Sequence, residues 1–301
     1  MKLGIYHDTI HKVRSKRCMV SRRTTQIRDC LEKLYVRYNR REFIGSDPLQ
    51  FVYDYSNPAD MEVVALLAAD LAYGRVQQIQ KSLADLLGRM GESPYAFVRD
   101  FGKAERKILA DFKHRFTTGR DISDLLQLLR NVFEQSGTIE KHFLLGYDKN
   151  DETILPALSK FCDSLQEKYT GPHNGRISRG LKYLLASPTG DSVCKRLNLF
   201  LRWMVRDDDV DLGLWKSVDK AKLIVPVDVH MARLCRILGF HNRKAVSLST
   251  ALEITKNFSQ IEPADPVKYD FALTRVGIVE DCDGNYRPSC RDCELFELCC
   301  K

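Results

Sequence analysis

Apolar residues recur at helical intervals along almost the whole chain, and this periodicity restricts the fold more than any other feature. Residues 24–40 are typical, because Ile27, Leu31, Leu34 and Tyr38 fall on one face of a helix. No stretch of convincing length alternates between apolar and polar residues, as a half-buried strand would. The sequence therefore predicts an all-α protein.

The helices differ in how their apolar residues are distributed. Residues 61–72 are apolar nearly all round, so this helix is expected to be buried, whereas residues 76–90 carry their apolar side chains on one face. Only the short apolar run 223–227 has the character of a strand. Further helices are predicted near residues 93–101, 104–112, 121–134, 138–146, 153–168, 176–185, 194–206, 228–238, 247–257 and 265–276.

The composition is that of a globular protein. With 301 residues, of which 44% are hydrophobic and 29% charged, the chain can form two packed subdomains and has no apolar run that could cross a membrane. No apolar signal-peptide core is visible, which favours a reducing, cytoplasmic location. Five cysteines are scattered without pairing logic: Cys18, Cys30, Cys162, Cys194 and Cys235.

The net charge of +7 resides in a basic arm, residues 1–28, which holds eight basic side chains against a single acid, Asp8. The rest of the chain sums to zero, so a nucleic-acid footprint on the body has to be a local patch. Three interpretations of the arm stay open: it contacts phosphates, it targets an organelle, or it is a disordered appendage.

Four cysteines crowd the C-terminal segment in the pattern C-x7-C-x2-C-x5-C, at Cys282, Cys290, Cys293 and Cys299. A zinc ribbon usually has two C-x2-C pairs, and only one occurs here. Three uneven gaps within 18 residues let one loop encircle a cubic [4Fe–4S] cluster. We expect this cluster, with structural zinc and unliganded thiols as alternatives, and the adjacent Cys300 could replace Cys299.

Two further segments could carry chemistry. In V-P-V-D-V-H-M, residues 225–231, Asp228 stands where a helix should begin. Its simplest role is an N-cap, although a capping carboxylate can present its second oxygen to a ligand. In the helix 194–206, Lys195, Arg202 and Arg206 lie opposite the apolar face. They form either a solvated basic face or, together with the preceding loop, a phosphate-binding surface.

These segments together resemble the helix-hairpin-helix DNA glycosylases. Residues 195–198, K-R-L-N, are similar to the K-T-A-N of endonuclease III, and residues 225–231 look most like the aspartate segment of 8-oxoguanine glycosylase. The terminal cysteines resemble the iron–sulfur loop of endonuclease III and the MutY adenine glycosylase. The early segment 65–70 resembles the L-L-S-A-Q that probes the gap left by a flipped base, with Asp70 in place of the glutamine.

The chain departs from the resembled pattern in three places. The glycine-rich hairpin L-P-G-V-G is missing before Lys195, and an insertion at about 207–220 separates Lys195 from Asp228. The first cysteine gap is one residue longer than usual. Retention of both Lys195 and Asp228 favours catalysis, because a pure phosphate binder does not need the acid.

The resemblance implies a bifunctional glycosylase and AP lyase, a cytoplasmic, nucleoid-associated monomer that acts on duplex DNA with a damaged base. Lys195 would form a Schiff base at the sugar and Asp228 would stabilise the sugar cation, with an oxidised purine as the favoured lesion. The expected lobes are a helical barrel, 58–206, and a cluster-bearing lobe made of 29–57 and 207–301. The expected DNA contacts are Ser192, Arg196, Arg202, Arg206, Arg287, Arg291, Asp70, Tyr73 and Arg75.

Two alternatives to this enzyme stay open. A non-catalytic nucleic-acid-binding protein could keep the fold and the cluster, whether iron–sulfur or zinc, while Lys195 only contacts phosphate. The altered hairpin favours this alternative. An RNA-processing factor is the other, and the basic arm gives it some support.

Overall fold

The computed structural model describes residues 23–167, 169, 177–278 and 282–299. Most of the basic arm and the alternative ligand Cys300 lie outside this part of the chain; residues 23–28 begin the first helix. The protein is predominantly helical, which confirms the all-α prediction. None of the described helices combines the length and the apolar character needed to cross a bilayer.

The described helices include nearly all those predicted, with bounds shifted by a few residues. They are α1 (23–38), α2 (Pro58–Asp70), α3 (Val76–Met90), α4 (Pro94–Arg99), α5 (Lys103–Ile108), α6 (Gly119–Ser136), α7 (Ile139–Leu144), α8 (Leu155–Glu167), α9 (Arg179–Leu184), α10 (Lys195–Val205), α11 (Val229–Ile237), α12 (Leu248–Ile261), α13 (Asp270–Ile278) and α14 (Phe296–Cys299). Short 3₁₀ helices span Arg41–Ser46, Pro48–Asp54, Pro188–Gly190, Lys220–Lys222 and Pro288–Asp292.

The sequence did not predict the one described sheet, a hairpin of β1 (Lys113–His114) and β2 (Thr117–Thr118). Strands of two residues are too short to show an alternating pattern, and this explains the miss. The apolar run 223–227 forms no strand in the described structure.

Helix α2 lies at the centre of the fold, packed against α10, α4 and the 3₁₀ helix Pro48–Asp54. Its apolar residues are buried on every side, as its composition predicts. The acid Glu62 is buried among them, and its carboxylate accepts hydrogen bonds from the backbone N–H groups of Ile139 and Glu140 at 3.0 and 2.8 Å. Glu62 therefore joins α2 to the start of α7.

The segment 207–220 contributes buried residues to the core, although other residues of the segment are exposed. Trp215 is 1% exposed, and its Nε1 donates to Glu62 at 2.8 Å. The backbone N–H groups of Leu212 and Trp215 donate to carbonyls of Trp203 and Met204 at the end of α10, at 2.9 and 2.7 Å. The segment thus satisfies carbonyls that the end of α10 would leave unpaired.

The two ends of the described chain contact each other. The Glu32 carboxylate on α1 accepts from Lys268 and Tyr269 at 2.7 and 2.6 Å. Arg275 on α13 donates to the Ser46 hydroxyl at 3.0 Å and pairs with Asp47 at 3.4 Å. These contacts join α1 and the residues that follow it to the C-terminal helices, while the expected division into two lobes stays a prediction.

We predict that Trp215→Ala lowers the free energy of unfolding by about 3–5 kcal/mol, because it leaves a cavity and removes a hydrogen bond to a buried carboxylate. The matched control is Lys216→Ala, whose side chain is exposed; it should change stability by less than about 0.5 kcal/mol. Chemical denaturation measures both. Equal, small effects would show that the segment 207–220 does not belong to the core.

Candidate active site

Three helix starts meet at one cavity of about 600 Å³. Lys195 is the first residue of α10, Asp228 is the N-cap of α11, and Asp270 is the first residue of α13. All three line the cavity. The positive ends of three helix dipoles therefore point toward a region that also holds two carboxylates and an amine.

The structure brings together the two residues that the sequence analysis proposed as catalytic. The Asp228 Oδ1 atom accepts from the backbone N–H groups of His230 and Met231, both at 2.9 Å, which makes Asp228 a helix cap. Its Oδ2 atom lies 2.9 Å from Lys195 Nζ. The two side chains are 28% and 31% exposed, so the ion pair is accessible from the cavity. One oxygen of Asp228 thus caps the helix, while the other is available to a ligand.

The surroundings keep Asp228 ionised. Burial alone raises the pKa of this carboxyl, but the nearby Lys195 ammonium and the backbone N–H of Met231 outweigh burial and leave the pKa below its usual value. At neutral pH the carboxylate is negatively charged and held in place. Such a group is suited to stabilising a positive charge on a substrate.

Lys195 is positioned by a hairpin that lacks the expected glycines. Between α9 and α10 the chain turns through Asp191 and Cys194, whose φ angles are +57° and +48°. Such conformations favour glycine. The Cys194 thiol donates to the carbonyl of Ala186 at 3.2 Å, and burial raises its pKa to about 11. Cys194 therefore stabilises the hairpin as a neutral thiol.

The structure contradicts the proposed DNA contacts of Arg202 and Arg206. Each is only 2% exposed. Arg202 pairs with Asp270 and, at 3.1 Å, with Asp211. Arg206 also pairs with Asp211, and further with two aspartates, Asp208 at 2.8 Å and Asp265 at 3.0 Å. The face of α10 that was predicted to contact solvent or phosphate is covered by acids from the segment 207–220 and from the chain around α13. Neither arginine can therefore reach DNA.

Arg196 and Asp70 are also buried, against expectation. The Arg196 guanidinium stacks 3.8 Å from the Tyr183 ring centroid and donates to the backbone carbonyl of Asp70 at 2.9 Å. Asp70 is fully buried, and its carboxyl oxygens have no hydrogen-bond partner among the described residues. Burial raises its pKa to about 7. Asp70 therefore cannot probe a gap in DNA from the surface.

The remaining predicted contacts are nearer the surface. Ser192 and Tyr73 line the cavity, and Arg75 is exposed at the start of α3. On the cysteine segment, Arg287 pairs with Asp283 at 2.8 Å, and Arg291 is exposed.

An aromatic cluster beside the cavity was not predicted from the sequence. Phe116, at the turn of the β1–β2 hairpin, is 52% exposed. Its ring stacks on Tyr73 and meets Tyr183 edge-on, with centroid distances of 5.1 and 4.7 Å, and both tyrosines line the cavity. Lys113 and Arg115 on the same hairpin are exposed. The alternation of basic residues with an aromatic in K-H-R-F was the available signal.

The four C-terminal cysteines form no disulfide in the described structure, and all four are partly buried. Burial raises the pKa of Cys293, the backbone N–H of Leu295 opposes this, and Glu294, Cys282 and Cys290 raise the pKa further. The backbone N–H of Arg287 donates to the Cys290 sulfur at 3.3 Å. Within the described residues, no group of three or more histidine, cysteine or acidic side chains is arranged as a metal site. Four thiols on one short segment still match the donor chemistry of zinc and of iron–sulfur clusters.

The cysteine segment is linked to the helix that Asp228 caps. Arg233 on α11 donates to the carbonyl of Asp283 at 3.0 Å and to Nδ1 of His230 at 2.7 Å. His230 lines the cavity beside Asp228. The position of the loop that starts at Cys282 is thereby coupled to the start of α11.

The chain belongs to the family described as "protein of unknown function (DUF2400)", which it matches over residues 47–279. The match contains Lys195, Asp228 and Asp270, and it ends before the four cysteines. No curated protein and no solved structure matches the chain.

Proposed function

We propose that this protein is a DNA glycosylase with AP lyase activity, which excises a damaged base through a Schiff base on Lys195. The observation that carries the proposal is the Lys195–Asp228 pair, 2.9 Å apart at two helix starts beside a cavity. A nucleophilic amine next to a fixed carboxylate is the pair that attack on a sugar carbon requires. The resemblance to the helix-hairpin-helix glycosylases supports the same assignment.

The reaction begins with extrusion of the damaged nucleotide, which costs a few kcal/mol of lost stacking and pairing. The cavity of about 600 Å³ falls within the usual range of ligand pockets. Lys195 attacks the sugar C1′ as a neutral amine after its ammonium has released a proton to solvent, and its contact with Asp228 opens as the sugar takes its place. The ionised Asp228 then faces the positive charge that develops on the sugar ring as the base leaves. An oxidised purine is the proposed lesion, from the likeness of residues 225–231 to 8-oxoguanine glycosylase.

The β1–β2 hairpin, and not the segment 65–70, is proposed to probe the gap that a flipped base leaves in the stack. Phe116 is the exposed aromatic nearest to the cavity-lining tyrosines, and it is flanked by the cations Lys113 and Arg115. An apolar ring between basic residues can enter a base stack while the cations contact phosphates. We assign Phe116 to the gap that the flipped nucleotide leaves.

The cysteine segment is proposed to hold a [4Fe–4S] cluster through Cys282, Cys290, Cys293 and Cys299, with zinc as the alternative. When bound, the cluster serves a structural role by fixing this segment. The contacts of Arg233 with Asp283 and His230 then hold the start of α11, and the exposed Arg291 reaches toward phosphate.

Lys195→Gln should abolish borohydride trapping on abasic or lesion-bearing duplex, because the imine needs the amine. Duplex binding should change by less than about threefold, since one of many backbone-side contacts is lost. Asp228→Asn should lower turnover by about 10²-fold or more while preserving the fold, because an amide oxygen still accepts the capping bonds. Full trapping by Lys195→Gln would assign the nucleophile to another amine, and no trapping by the wild-type protein would leave the non-catalytic DNA-binding protein.

Phe116→Ala should weaken nucleotide flipping, measured as the rise in 2-aminopurine fluorescence opposite or beside an abasic site. We expect a loss of about 1–3 kcal/mol in binding to gapped or abasic duplex, the range of one stacked aromatic. Leu145→Ala is the matched control, since Leu145 is also an exposed apolar residue and does not line the cavity. Identical behaviour of the two variants would exclude the hairpin from the DNA-contacting surface.

Anaerobically purified protein should be brown, absorb near 400 nm and contain about four iron atoms per chain. Cys293→Ser should lose the colour, whereas Cys235→Ser, a buried cysteine outside the segment, should keep it. Stoichiometric zinc without iron would establish the zinc alternative, and the absence of both metals would leave the thiols unliganded.

A further inference from the structure

A second acidic residue lines the same cavity, and the reaction described above does not use it. Asp270 lines the cavity, yet it is only 3% exposed. One of its oxygens, Oδ2, accepts from Arg202. The other, Oδ1, is buried and has no hydrogen-bond partner in the described part of the chain. An unpaired buried oxygen is costly, so a buried carboxylate beside a reactive site calls for an explanation.

The pKa values of the two carboxyls at the cavity are shifted in opposite directions. Burial leaves the pKa of Asp270 above its usual value, although the Arg202 guanidinium lowers it. Asp228 contributes a further increase and Lys195 a small decrease, so the charges of the catalytic pair reach Asp270. The pKa of Asp228, in contrast, lies below its usual value. Two carboxyls whose environments separate their pKa values are suited to different steps of one reaction.

We propose that Asp270 is the base that removes the C2′ proton of the Lys195 imine during strand cleavage. This inference rests on the proposed function. The Asp270 carboxylate takes the proton from C2′, the C2′–H electron pair forms the new C2′–C3′ double bond, and the C3′–O bond breaks. The 3′ phosphate leaves with that bond pair, and the protonated Asp270 returns its proton to solvent.

The arrangement around Arg202 allows Asp270 to gain a proton without leaving a buried cation unpaired. Arg202 Nε also donates to Asp211 at 3.1 Å, and Asp211 does not line the cavity. When Asp270 is neutral, Arg202 keeps this second partner. A lone buried guanidinium would cost several kcal/mol. For Asp270 to reach C2′, the opening of the Lys195–Asp228 contact has to expose its buried oxygen as well.

The test uses duplex DNA with a preformed abasic site, so it does not depend on the lesion. Borohydride trapping measures imine formation, and strand nicking without borohydride measures elimination. In Asp270→Asn, the ratio of nicking to trapping should fall at least about 10²-fold relative to wild type, the usual contribution of a general base. Asp211→Asn is the matched control, because it also removes a carboxylate from Arg202; it should reduce trapping and nicking equally or not at all.

The ratio of nicking to trapping does not depend on how much of a variant is folded, so a loss of stability does not imitate the result. Equal loss of both activities in Asp270→Asn would assign Asp270 a purely structural role and overturn the inference. Unchanged nicking would overturn it as well. Wild-type protein that traps no abasic DNA would instead refute the proposed function, and the inference with it.

Discussion

The buried guanidinium of Arg202 is the interaction on which the site depends. It joins α10, which begins at Lys195, to α13, which begins at Asp270, and to the segment 207–220 through Asp211. Burying these charges is costly, and removing one partner from such a group typically costs about 3–5 kcal/mol. The network therefore tolerates few alternative arrangements. It fixes the relative positions of two of the three helix starts that surround the cavity.

The helices, and the positions of Lys195 and Asp228 at helix starts, could be predicted from the sequence, because both are local properties. The predicted helix 76–90 coincides with α3, and the capping position of Asp228 follows from an extended approach followed by an apolar helical face. The sequence analysis also placed Lys195 at a helix start, where the structure has it. What brings Lys195 and Asp228 together is tertiary packing, and only the resemblance to a known family pointed to it.

The errors have a common physical cause. Periodicity shows which face of a helix is apolar, but it does not show what covers the opposite face. Arg202 and Arg206 were therefore assigned to solvent or phosphate. Asp211, which follows the helix, and Asp265, which is distant in the sequence, fold back onto this face. The segment 207–220 was identified from the sequence only as an insertion, whereas in the structure its Trp215 packs in the core. Phe116 was missed because its hairpin is too short to leave a pattern.

The central claim is that Lys195 forms a covalent bond with the sugar. The most direct measurement is to reduce the complex with abasic duplex DNA by borohydride, digest the protein, and locate the cross-linked residue by peptide mass spectrometry. A deoxyribose adduct on Lys195, and on no other lysine at comparable yield, is the predicted result. An adduct on a different lysine, or no adduct at all, would contradict the account.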